Sequence, residues 1–484
     1  MAQGTQAPPA TEPPGRAPPA PVEGRTRRFL HELGYRLFQP VDGASLAVFR
    51  ILFGAIMVWE VYRYFSHDWI QRYWVEPSFH FTYHGFGWVE PLPGRWMEIL
   101  FAVLGALAAC IALGLFYRVA AALFFVGFTY MFLLEQARYL NHFYLVCLLS
   151  FLLAIVPAHR VWSVDAALSK PRWRETVPTW SLWLLRAQIA AVFIFAGVAK
   201  LNADWLHGEP LRMWLAERTD FAILGRFFTE EWAPWLFSYG GLLFDLTVIP
   251  LLIWPRTRLL AFVAAVGFHM TNQQLFTIGI FPFLALGTAL LFFPPDWPRF
   301  RWLRARRRPP RQPVVASWPT PPRGWRLRPA QAALLGVLGV YLALQVLLPL
   351  RHFAIPGNVS WTEEGHRFSW HMKLRDKDAD AQFEIVAADG SRSLVDPSQY
   401  LTGWQYQEMA SRPDMIVQFA RHVKEQIRPL GLGDVEVRAQ VAASLNGREE
   451  QTLIEPEVDV SEVELQGLLG HADWIVPLRT PLNQ

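Results

Sequence analysis

The segment FIFAGVAKLNADWLHGEPLRMWL, Phe193 to Leu215, ends an apolar run on Lys200 and follows it at once with Asn202, Asp204 and Trp205. A lysine so placed can snorkel to lipid headgroups while its stem stays in the apolar layer. It can also serve as a base, because partial withdrawal from water disfavours the ammonium form and moves the amine toward the working pH. Ala196 and Gly197 lie one helical turn before it, where small side chains leave room for a flat ligand or a close helix. The polar residues that topology can bring to the same depth are Asn141 and His142 in YLNHFY, and His269, Asn272 and Gln273 in HMTNQQ. Taken singly, His142 and His269 read as interhelical hydrogen-bonders. Shared depth with Lys200 makes them a polar cluster inside a bundle, where such residues mark functional sites. A base reached from the bilayer suits a lipid-soluble acid, and a hydroquinone fits that description.

The elements that must hold this cluster are membrane spans. The chain has 484 residues, 52% of them hydrophobic and 14% aromatic, with only 18% charged, a composition of a polytopic α-helical membrane protein with the lipid bilayer as its first partner. Segments near 44–65, 96–116, 118–134, 140–157, 180–199, 235–254, 258–273, 275–294 and 330–350 give about nine transmembrane helices; the seventh is short and polar at its end, so eight spans with a re-entrant segment is the alternative. The net charge of +4 does not indicate nucleic acid, since ten arginines fall between Arg299 and Arg328 in a stretch without Asp or Glu. Such a block orients a membrane protein: it and the other basic loops fall on one side, predicted to be cytoplasmic together with the N-terminus. The outer face then receives the polar cluster and everything after residue 350. Cys110 and Cys147 both lie in apolar segments, so no disulfide framework or thiolate metal site is encoded. There is no phosphate-binding glycine loop, HExxH or serine-nucleophile motif.

Residues 1–24 are a Pro-rich tail expected to be disordered. Residues 25–43 begin with the basic and apolar RTRRFLHELGYRLF of an interfacial helix. Residues 44–350 form the transmembrane catalytic domain, and 351–484 an extracytoplasmic, mainly β domain (periplasmic in a bacterium, lumenal in a eukaryote). In the latter, FSWHMKL and AQFEIVAADGSRSLV read as strands with a turn at Asp389-Gly390. RPDMIVQFARHVKEQI reads as a helix. VEVRAQVAASL and REEQTLIEP read as strands about an Asn446-Gly447 turn. Arg448 beside that turn gains interest if the domain lends an anion-binding group to the membrane site. Arg50, Glu60, Arg186 and Asp245 read as charges paired within the bundle, with Asp245 alone kept in view for the site.

Five segments, FAGVAKLNADW, YLNHFYLVCLLSF leading to WSVDAAL, FHMTNQQLFTIGIFPF, SWTEEGHRFSWHM and SLNGREEQTLIEPEVDV, resemble the vitamin K-dependent gamma-carboxylase family in the same order. The resemblance implies a membrane enzyme that oxidises vitamin K hydroquinone, or a menaquinol-like naphthoquinol, with dioxygen to the epoxide. The strong base so generated removes a γ hydrogen from a glutamyl residue of a peptide or protein, and carbon dioxide adds. It implies that Lys200 deprotonates the hydroquinone, with Asn141 and His142 positioning it. It further implies that His269, Asn272, Gln273 and Trp205 line the cofactor site, that Arg448 and Trp370 contact the substrate, and that no metal takes part. Phe368 stands where the animal enzymes have a tyrosine, and the long C-terminal extension of those enzymes has no counterpart up to residue 484. Two further readings are a quinol epoxidase with another acceptor and a non-catalytic quinone- or lipid-binding membrane module.

Overall fold

The computed structural model describes residues 25–169, 175–299, 321–430, 434–465 and 467–482. The expected tail 1–24 and most of the arginine block lie outside them. An amphipathic helix α1 (Arg25–Leu37) precedes the bundle; its His31 and Tyr35 pack edge-on against Trp325 while Phe29 and Leu30 stay exposed.

The bundle comprises α2 (Ala44–Ser66), α3 (Arg95–Leu113), α4 (Tyr117–Leu133), α5 (Asn141–Ile155), α6 (Thr179–Ala199), α7 (Trp232–Ile253), α8 (Arg258–Phe276), α9 (Phe281–Ala289) and α10 (Pro329–Leu350). By length and composition α2, α3, α6, α7 and α10 are able to cross a membrane, whereas α4, α5 and the segment starting with α9 are apolar but shorter. Each helix from α2 to α9 packs on the next, and α9 returns to α2, closing a ring. The polar run HMTNQQ is not a corner, as its composition suggested. Helix α8 continues through it to Phe276 and ends on Thr277 at φ 50°.

Buried charges inside the ring mostly tie off helix ends. Arg50 does not pair with Glu60; it donates to the carbonyls of Ile111, Ala112 and Trp162. Arg186 does the same for Leu291 and Phe293. These are the orphan carbonyls that a helix terminus leaves without partners, and a cation suits the negative end of the helix dipole. Glu60 pairs with Arg63 one turn on, at 2.7 Å.

Beyond α10 the chain forms a second domain with its own core. A four-stranded antiparallel sheet, in the order β2-β1-β3-β4, is built from β1 (Lys377–Val386), β2 (Arg392–Val395), β3 (Glu436–Leu445) and β4 (Gln451–Thr452). Strands β1 and β3 pair along their whole length, from Lys377 opposite Leu445 to Val386 opposite Glu436. Helices α11 (Gly403–Ala410) and α12 (Pro413–Ile427) cover one face, burying Met415, Phe419, Phe383 and Val437. The domain is therefore α+β rather than mainly β. FSWHMKL is not a strand either: Phe368, Trp370 and Lys373 have φ of 64°, 60° and 49°, a left-handed conformation that no pleated strand tolerates. The two domains meet through buried polar contacts. Gln405 donates to Phe79 O and to Glu135 Oε2, and Gln136 donates to Asp414 at 2.9 Å.

Candidate active site

Helix α6 ends at Ala199, and Lys200 caps it with its side chain turned back into the bundle. Its Nζ donates to Asp245 Oδ2 on α7 at 2.7 Å and to Ala196 O at 3.3 Å. It also sits 5.2 Å from the centre of the Trp205 ring. Lys200 is 5% exposed and Asp245 4%, so this is a buried ion pair. Gly197 makes it possible: a Cβ there would fall 2.6 Å from Leu246 Cδ2 and 3.2 Å from Leu246 N. A larger residue would press on Leu246, so the glycine eases the close approach of α6 and α7 that brings Asp245 onto Lys200. Of the two uses expected for the small residues before Lys200, the close helix is the one Gly197 serves.

The residues after Lys200 build a rigid shoulder. Asn202 caps the short helix 203–206, accepting from Trp205 N at 2.9 Å. Trp205 Nε1 donates to Ser238 O at 2.9 Å, which locks the indole against α7. Asp204 turns the other way and is held by both arms of Arg448, each at 2.7 Å, and by Asn446 Nδ2 at 2.6 Å. The bidentate guanidinium–carboxylate geometry is the strongest form of such a contact.

A cavity of about 970 Å³ opens beside Lys200. From the bundle it is lined by Lys200, Asp245, Trp205, Asn141, His142, His269 and Asn272, together with Glu60, Arg63, Arg138 and Tyr139. His269 is 2% exposed and stands within a cage of Phe193, Phe244, Phe268 and Phe281, whose ring centres are 5.4–6.0 Å away. Its Nδ1 has no hydrogen-bond partner among the described residues. Asn141 does not reach for Lys200. It accepts from the Tyr139 hydroxyl at 2.9 Å and donates to the carbonyl of His371 at 2.9 Å, so it ties α5 to the second domain. The Tyr139 hydroxyl in turn accepts from Phe368 N at 2.7 Å.

The second domain closes the cavity with the loop 366–375 and with Arg412. His366 and His371 face each other with ring centres 5.1 Å apart. Burial holds both imidazoles well below their ordinary range, with Arg375 pushing the same way. They stay neutral near pH 7. Both ring nitrogens of His371 are buried without hydrogen-bond partners among the described residues.

Three residues expected at the site lie elsewhere. Arg448 does not line the cavity, since its guanidinium is committed to Asp204 and to the carbonyls of Thr480 and Leu445. Trp370 is 1% exposed and stacks on Tyr144 at 5.0 Å, inside the bundle core. Gln273 also falls outside the lining. Conversely, Asp245 belongs to the site, and the signal for it was present: it is an intramembrane acid on the span following Lys200, and the rule that singled out the lysine applies equally to it. Tyr139 and Lys373 were not anticipated.

Two comparisons bear on what this arrangement is for. The HTTM domain family matches residues 38–297, more than half of the chain. The family described as vitamin K-dependent gamma-carboxylase, lumenal domain, matches residues 330–481. No solved structure matches the chain significantly. The two matches follow the division seen in the structure, a helical membrane half and an extracytoplasmic α+β half that together enclose one cavity, and on these grounds the chain belongs to the vitamin K-dependent gamma-carboxylase family.

Proposed function

We propose that the protein is a gamma-carboxylase-like enzyme that couples oxygenation of a naphthohydroquinone to carboxylation of glutamyl residues with carbon dioxide. The observation that carries this reading is the buried Lys200–Asp245 pair at 2.7 Å, set in a cavity to which both domains contribute. The residues fit a flat hydroquinone with an apolar tail. Four phenylalanines frame the cavity beside an orphaned His269 Nδ1, and a Cβ added at Gly240 or Gly267 would meet nothing within 4 Å. His269 and Asn272 would hold the ring oxygens, and Trp205 the ring face.

When bound, the hydroquinone supplies on oxidation by dioxygen the strong base that removes the acceptor's γ proton. The chain's own residues set up that event. Lys200 Nζ takes up the acidic proton as it hands its own to Asp245 Oδ2, so the proton ends on the carboxyl and the ammonium stays beside the hydroquinone anion as its counter-charge, which avoids an isolated buried charge. Trp205 covers the pair and keeps water from it, which strengthens each polar interaction inside. His142 lines the same cavity, and Asn141 with Tyr139 fixes the loop of the second domain over it. Nine spans, with the N-terminus in the cytoplasm and the second domain outside, place Lys200 at the outer ends of the helices, where bilayer and acceptor both have access.

The test is direct. Purified protein given a reduced naphthoquinol and dioxygen is expected to form epoxide, followed by mass spectrometry of the quinone fraction. A positioned general base contributes about 10²–10⁴-fold, so Lys200→Met should lower epoxide by at least about a hundredfold. Lys200→Arg, which keeps the charge but cannot give it up, should not rescue it. Undiminished epoxide from Lys200→Met removes Lys200 as the base. Wild type that binds quinone but forms no epoxide favours the binding-module reading.

A further inference from the structure

Helices α7 and α8 form an antiparallel pair about the turn 254–257, and the cavity wall between them is incomplete. Phe244 and Phe268 bridge the two helices at one depth, stacking with ring centres 4.0 Å apart. Gly240 lies one turn before Phe244, and Gly267 directly precedes Phe268. Both glycines line the cavity, yet their helix faces continue into residues that look away from it. Leu236 and Leu243 flank Gly240 at one-turn spacing, and Leu260 and Val263 precede Gly267 by two turns and one; all four are exposed. The glycines are exposed as well, and a Cβ added at either would meet nothing within 4 Å among the described residues. A position that belongs both to the cavity lining and to the outward stripe of its helix marks an opening in the wall.

Two further observations say what the opening faces and what it serves. Helix α7 is long and apolar enough to cross a membrane, and its first turns carry Trp232, Trp235 and Tyr239, all exposed, as an interfacial aromatic belt does. Gly240 follows that belt, about 12 Å along the axis from the start of the helix, so the gap opens toward acyl chains and not toward headgroups. Inside the gap stands His269, buried against the Phe244 and Phe268 rings, with Nδ1 lacking a hydrogen-bond partner among the described residues. A buried polar atom left in this way is costly unless something else meets it. The site therefore asks for a polar group within and offers an apolar way out beside it, which is the outline of a ring with polar atoms and a long hydrocarbon tail.

We propose that the gap at Gly240 and Gly267 seats the prenyl tail of the quinone, which leaves the cavity sideways between α7 and α8 while the ring stays inside beside His269. This deepens the carboxylase reading and rests on it for the identity of the ring; the gap itself stands on the two glycines, their exposed helix faces and the orphaned imidazole. A prenyl tail suits such a passage because it carries no polar atom and keeps much of its surface in lipid. A phospholipid fits less well, since its polar headgroup belongs at the belt and its acyl chain has nothing to offer His269 Nδ1. The glycines thereby become specificity residues: side chains at both positions would close the wall to a tail without touching the space in which the ring lies.

The full-length protein in lipid nanodiscs is titrated with an oxidised naphthoquinone bearing several prenyl units and with menadione, the same ring without a tail. Binding is followed by quenching of tryptophan fluorescence, since Trp205 and Trp214 line the cavity. Gly240→Leu combined with Gly267→Leu should raise the amount of tailed quinone needed for half-quenching by at least about tenfold, the cost of forcing a group into occupied space, and should leave the menadione titration nearly unchanged. Leucine favours a helix over glycine and meets open space at both positions, so the thermal midpoint should not fall. Gly240→Ala with Gly267→Ala, which adds only methyl groups, should keep most of the affinity for the tailed quinone. An equal loss for both quinones, a wild type that binds neither, or no loss for either overturns the proposal; the last is the result expected if a phospholipid chain fills the gap. Discrimination against the tail in the leucine variant, together with a wild type that forms no epoxide from the tailed quinol and dioxygen, leaves the tail seat standing and sinks the carboxylase reading.

Discussion

The membrane half and the second domain enclose one cavity by opposite means. In the bundle each acid lining the cavity has its cation, Lys200 with Asp245 and Arg63 with Glu60, and the rest of the wall is largely aromatic. In the second domain the wall carries Arg367, Lys373, Arg375 and Arg412, and of these Lys373 has no carboxylate at ion-pair distance among the described residues. The difference follows from the surroundings. Within a bundle an unpaired charge has neither water nor headgroups to turn to, so it persists only as part of a pair. In the second domain a cation without a carboxylate can rest over aromatic faces, as Lys373 does over Trp214 and Phe276. The paired end holds its charges in balance, whereas the other end keeps one in excess.

This contrast breaks most sharply at Lys200 and Asp245. Removing one member of a buried pair costs about 3–5 kcal/mol, while replacing both with apolar residues is near neutral. Asp245→Leu alone should therefore destabilise the bundle, and Lys200→Met with Asp245→Leu should restore its thermal midpoint toward wild type while remaining inactive. Recovery of stability together with activity would mean that the pair is only a strut.

The clamp between the halves sharpens the comparison at the next level. Arg448→Gln leaves Asp204 without its bidentate partner at a site where the two side chains are 8% and 10% exposed, and about 2–5 kcal/mol should be lost. Because the clamp holds the loop beside Lys200 as well as the second domain, epoxide formation and carbon dioxide incorporation should fall together. A loss confined to carboxylation would return Arg448 to the substrate.

The smallest expected effect lies within the second domain. Burial brings the Lys377 amine down to about 7, against the pull of Glu363. The unfolded chain holds that proton up to the ordinary lysine range, whereas the folded domain releases it near pH 7. Folding is therefore opposed at low pH, and the opposition fades as pH rises through and above 7, by at most about 1.4 kcal/mol per unit. Circular dichroism melts between pH 6 and pH 9 should show the midpoint of the second domain rising with pH in wild type and losing most of that slope in Lys377→Met. An unchanged slope would mean that other groups set it.

The sequence made the helical half legible because long apolar runs and arginine asymmetry are properties of single segments. It also exposed Lys200, since a lysine ending such a run is visible without knowing what packs on it. Pairings between segments were harder to read: Asp245 is 45 residues from Lys200, and only the close approach at Gly197 joins them. In the second domain, alternation in FSWHMKL imitates a strand, because the pattern of apolar and polar residues carries no record of φ. Helix α11 was missed although Thr402 and Gln405 form the capping box that announces it. Eight residues are too few for a periodicity to stand out.

The Asp204–Arg448 clamp joins positions 244 residues apart, and this sets an order of completion. During synthesis Lys200 and Asp245 emerge well before the second domain is made, and the carboxylate of Asp204 then waits for a guanidinium made 244 residues later. A ribosome that halts before residue 448 leaves a chain with the proton-handling pair but without the latch over it. The loop beside Lys200 is therefore secured only once the second domain has folded onto it.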